Sequence, residues 1–76
     1  MKSYPLISAD PKVMTGLPCI VGTRVTVANI VRQIAAGRSN EEICRDYPYL
    51  NSDQIRAALE FAADLSASQT HDLMVS

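Results

Sequence analysis

Tryptophan is absent, phenylalanine occurs once, and tyrosine occurs three times, at Tyr4, Tyr47 and Tyr49. The core must therefore be built from Ile, Val, Leu and Ala rather than from aromatic rings. The two cysteines, Cys19 and Cys44, form no C-x-x-C pair, and no histidine stands at zinc-ligand spacing. Neither a disulfide framework nor a zinc site is indicated, and both thiols read as small apolar groups. No stretch approaches the ~20 apolar residues of a membrane span. The first residues, Met1 to Pro5, lack an apolar run of signal-peptide length, so a cytoplasmic chain is expected. There is no phosphate-binding loop, dinucleotide fingerprint or nucleophile elbow. The sole histidine, His71, has no triad partner at a plausible position. An enzyme is not expected, nor a cofactor, a metal or a small-molecule substrate.

What is present fits one small domain. The chain has 76 residues, 47% of them apolar and 20% charged, which places it among globular chains rather than disordered ones. Its net charge of −1 hides an uneven distribution. Residues 1–40 carry Lys2, Lys12, Arg24, Arg32 and Arg38 against Asp10 alone. Residues 41–76 carry Arg45 and Arg56 against seven acids. Such asymmetry marks a surface that meets an anion or a charged protein, without the strong overall basicity of a nucleic-acid binder.

The order of local signals predicts an α+β chain, mostly α, with a short N-terminal β element over 6–25 and then three helices. Leu6-Ile7-Ser8 is a brief strand candidate, and Asp10-Pro11 is a turn. Residues 13–21, with Thr15-Gly16-Leu17-Pro18 as their turn, read as a β-hairpin that leaves through Gly22. A first helix over about 27–36 follows from Thr26 as cap, Val27, Ile30, Val31 and Ile34 on one stripe, and Gly37 as stop. Ser39 with Glu42 and Asn51 with Gln54 are capping boxes, opening helices over about 40–46 and 52–66. Pro48 ends the second of these three helices. Residues 1–66 thus form one domain, and 67–76 a frayed tail. The apolar hairpin and the alanine-rich last helix predict a homodimer, with Ile7, Val13 and Ile20 as candidate dimer contacts.

Taken together, several elements carry a resemblance: Asp10-Pro11; Gly16-x-Pro18; Gly22-Thr23-Arg24-Val25-x-Val27; Ile34-Ala35-Ala36-Gly37; Glu41-Glu42-Ile43; Asp46-Tyr47-Pro48-x-Leu50; and Ile55-Arg56-Ala57-Ala58-Leu59. Over about Ile7 to Ala63 the chain resembles the bacterial "domain of unknown function 433" family. The resemblance implies a helix-turn-helix or homeodomain-like bundle behind a short β element. It also implies an antitoxin that neutralises a small PIN-like nuclease toxin and binds its own promoter DNA. Leu17 and Val21 stand where family members often carry Lys or Arg, which removes two positive charges from the hairpin.

In a helix-turn-helix the last helix would enter the major groove, with Gln54 placed for adenine and Arg56 for guanine. Its acids Asp53, Glu60 and Asp64 oppose that approach. Arg24, Arg32 and Arg38 are the other candidate contacts to nucleic acid or a protein partner. Arg24, following Gly-Thr in a turn, is equally suited to tie loop carbonyls together. Besides the antitoxin reading, two others remain at this point: a stand-alone DNA-binding regulator, and a structural dimerisation module.

Overall fold

The computed structural model describes residues 4–68. Strand β1 (Ile7–Ser8) pairs antiparallel with β2 (Cys19–Ile20), Ile7 opposite Ile20 and Ser8 opposite Cys19. The hairpin expected within 13–21 is therefore corrected: β2 takes the earlier segment as its partner, and Val13 lies on no strand. The reason is backbone geometry. Asp10 folds the chain back by accepting from the amides of Val13 (2.8 Å, main chain) and Lys12 (2.9 Å, side chain). Met14, Thr15 and Gly16 then all adopt positive φ (49°, 56° and 87°) inside a short 3-10 turn. Three left-handed residues in a row cannot extend a strand.

On its other side β2 meets the segment leading into the helices. Ile20 N–H donates to the Val25 carbonyl (3.0 Å), Val27 N–H donates to that of Pro18 (2.9 Å), and Cys19 bridges Thr26. The turn between them needs Gly22 at φ 79°.

Helix α1 (Val27–Ala35) starts where the Thr26 hydroxyl accepts from Asn29 N–H (3.0 Å). It ends in a Schellman arrangement, with Arg38 N–H on the Gln33 carbonyl (3.1 Å), Gly37 N–H on that of Ile34 (2.9 Å), and Gly37 at φ 91°. Helix α2 (Asn40–Asp46) and helix α3 (Ser52–Ala67) both open with complete capping boxes. Those are Ser39 with Glu42 (3.1 and 2.9 Å) and Asn51 with Gln54 (3.0 and 2.8 Å). Tyr47, kept out of the helical region ahead of Pro48, closes α2. Ala67, expected in the tail, belongs to α3, and the rest of that tail beyond Ser68 lies outside the described residues.

One isoleucine from β2 and one from each helix meet in the centre: Ile20, Ile30, Ile43 and Ile55, from β2, α1, α2 and α3, are all fully buried. Val25, Val27, Leu50 and Ala58 complete this core. Burying each such isoleucine stabilises the fold by about 2–3 kcal/mol. Ala58 is small enough to let α1 lie close against α3. Ahead of β1, Tyr4 packs edge-on against Phe61 (5.4 Å between centroids) and its hydroxyl bonds the Asp64 carboxylate. Ile20, expected at a dimer contact, is thus enclosed by its own chain and its side chain offers nothing to a partner, while Ile7 and Val13 are half-buried. Among the described residues no helix is long and apolar enough to cross a membrane.

Candidate partner-binding site

The turn that follows β2 positions one cation without using it. The Thr23 hydroxyl donates to the Ile20 carbonyl (2.8 Å) and accepts from Val25 N–H (3.0 Å). Thr23 N–H reinforces this by donating to the same carbonyl (3.0 Å). Tying of the loop, assigned to Arg24 as one of two options in the sequence, is therefore carried out by Thr23. Arg24 is exposed and makes no hydrogen bond or ion pair among the described residues. Its side chain lines an open hollow together with Ser8, Asp10, Val13, Thr23 and Tyr49. Tyr49 is 60% exposed and stands edge-on to Tyr47 at 6.0 Å.

The other candidate residues are distributed differently. Arg38 is no free cation: it pairs with Asp46 (2.6 Å) and donates to Gln33 Oε1 (3.2 Å) and the Glu42 carbonyl (3.3 Å), clamping α1 to α2. The bond to Asp46 pushes its pKa up. From Gln33 the polar chain continues to Asn29 (3.2 Å) and then to the Tyr47 hydroxyl (3.2 Å). Gln54 spends its side-chain oxygen on the α3 cap. Arg32 and Arg56, on α1 and α3, are exposed and have no partner among the described residues. Arg56 shares the exposed surface of α3 with Asp53, Glu60 and Asp64. The basic set Arg24, Arg32 and Arg38 therefore does not act as one free patch, because Arg38 is already neutralised by Asp46.

The reactive groups offer little chemistry. Burial raises the pKa of the Cys19 thiol, which keeps it protonated and inert. Among the described residues no group of three or more His, Cys, Asp or Glu is placed to hold a metal ion. His71 lies outside the described residues. Sequence reasoning missed Ser8, Asp10 and Tyr49 as companions of Arg24. The Asp-Pro turn at 10–11 was the available signal, since that turn brings Asp10 back beside the ribbon.

A two-stranded ribbon feeding three capped helices, with an open hollow at the ribbon end, defines a small α+β domain. The chain belongs to the family described as "Protein of unknown function (DUF433)", which matches residues 7–62. It is similar to "Uncharacterized protein y4eO" of Sinorhizobium fredii, 33% identical over 57 residues. That match covers 75% of this chain and 26% of the relative, so the chain spans about a quarter of the length of the curated relative it matches. The fold is similar to the crystal structure of a DUF433 member protein from Anabaena variabilis, with TM-score 0.77 and 23% identity. That likeness covers 91% of this chain and 68% of the other.

Proposed function

We propose that this domain is a non-catalytic, antitoxin-type binding module of the bacterial cytoplasm, which docks a small PIN-like nuclease through the ribbon end. One observation carries the reading. Arg24 follows a pinned turn and lines a hollow, yet it is exposed and has no partner among the described residues. An exposed cation on a fixed turn suits the carboxylates of a protein partner. The proposal of direct DNA reading by α3 is weaker on the same grounds, because Gln54 is spent in a cap and three acids flank Arg56. Promoter binding would then belong to the assembled complex, and self-association to the exposed apolar residues around the ribbon.

The test is co-expression with the product of the neighbouring gene, followed by purification at low salt and a nuclease assay. The expected outcome is a stoichiometric complex with suppressed nuclease activity, lost in Arg24→Ala. Purification of the chain with DNA and no nuclease would favour the stand-alone regulator instead.

A further inference from the structure

The hollow at the ribbon end contains two opposite charges that leave one another unneutralised. Arg24 and Asp10 both line it, and no ion pair joins them. Each is placed by its own backbone. Asp10 Oδ1 is committed to Lys12 N–H (2.9 Å) in the loop after β1, and Arg24 follows the turn pinned by Thr23. The hydroxyls of Ser8 and Tyr49 make no hydrogen bond among the described residues and remain able to donate.

We infer that the hollow receives a short extended segment of a partner protein carrying a carboxylate next to an ammonium or guanidinium. This rests on the docking reading above and specifies what is docked. A run of like charges is disfavoured from either side: a polyanion gains Arg24 but meets Asp10, and a polycation gains Asp10 but meets Arg24. A segment bearing both signs satisfies both groups. In an extended chain, side chains two residues apart share a face and stand about 6.6 Å apart, enough to reach two charges that do not touch. Val13 and the Tyr49 ring supply apolar wall for the methylene stems of Glu and Lys.

The experiment follows amide resonances of the isotope-labelled full chain during addition of three probes. These are acetyl-Gly-Glu-Gly-Lys-Gly-amide, acetyl-Gly-Glu-Gly-Glu-Gly-amide and a short oligodeoxythymidylate. The Glu/Lys peptide is expected to shift residues 8–10, 22–24 and 49, several-fold more tightly than either other probe. Arg24→Ala abolishes the shifts. Asp10→Asn, which keeps the Oδ1 acceptor for Lys12, removes the preference for Glu/Lys over Glu/Glu.

Equal response to both peptides, stronger shifts with the oligonucleotide, or no shift in the hollow overturns the inference. So does occupation of the hollow by a second copy, seen as concentration-dependent shifts of the same residues without probe. If Arg24→Ala loses the nuclease while the peptides are not distinguished, the docking reading stands and the two-charge ligand falls. If Arg24→Ala retains the nuclease, the docking reading itself fails.

Discussion

The helices and the ribbon are secured by different means. From Thr26 onward each helix begins on a side-chain cap, at Thr26, Ser39 and Asn51, and each supplies one fully buried isoleucine. The ribbon contributes Cys19 and Ile20, both buried, while the residues around them are more open. Leu6, Met14, Leu17 and Val21 are 37–49% exposed, and Met14 and Thr15 sit at positive φ. Beyond β2 the ribbon is thus braced mainly by loop hydrogen bonds, while the helices are braced by caps and packing. Elements with few buried apolar contacts open at low free energy and are the ones free to meet partners. Arg24, which has no partner among the described residues, lies on the less secured side.

Core truncation tests the stronger half most severely. Ile55→Ala is expected to cost about 3 kcal/mol, a large share of the stability of so small a domain, read as a lower midpoint in urea. Removing a cap is the next largest effect. Asn51→Ala should cost about 1 kcal/mol, and Thr23→Ala in the ribbon a similar amount, because Val25 N–H and the Ile20 carbonyl both lose a partner. If Thr23→Ala were silent while Asn51→Ala were not, the ribbon would be held by packing and the contrast would be wrong. Thr15→Gly works in the opposite direction: a β-branched residue at φ 56° is replaced by one at ease there, raising stability by about 1 kcal/mol. Arg24→Ala should leave the melting temperature unchanged.

The same division explains what could be read in the sequence. Caps, stripes and stops of the helices are local, so Thr26, Ser39–Glu42, Asn51–Gln54 and Gly37 announced the elements they form. The ribbon depends on pairing across the 9–18 loop, and nothing local to Cys19-Ile20 names Ile7-Ser8 as its partner. The left-handed Thr15 breaks the residue preference that would have revealed it. Site residues divide likewise. Arg38 looked free because Asp46 reaches it only after the α1–α2 turn, and Gln54 was readable either as a cap or as a base contact until one geometry used its oxygen. The free state of Arg24 follows from Thr23 satisfying the turn first, a competition between neighbours that residue types alone do not decide.

The smallest effect sharpens the contrast through pH. The N–H and hydroxyl of Ser39 hold the Glu42 carboxyl below the usual carboxylate range. A depressed folded pKa means that the unfolded chain binds the proton more readily, so stability rises with pH across the interval between the two values. The contribution is complete above the ordinary glutamate value of about 4.3 and fades as pH falls through the lower, folded value. Glu42→Gln keeps an oxygen for Ser39 N–H but carries no charge at the N-terminus of α2. Wild type should therefore be slightly more stable than Glu42→Gln near neutrality, by a margin that is flat from about pH 6 upward and closes below about pH 4. Thermal melts of the two proteins at matched pH and low salt measure that margin directly. A gap that stays constant down to acid pH would place the role of Glu42 in shape rather than charge, and the closure of α2 would then resemble the uncharged ties that hold the ribbon.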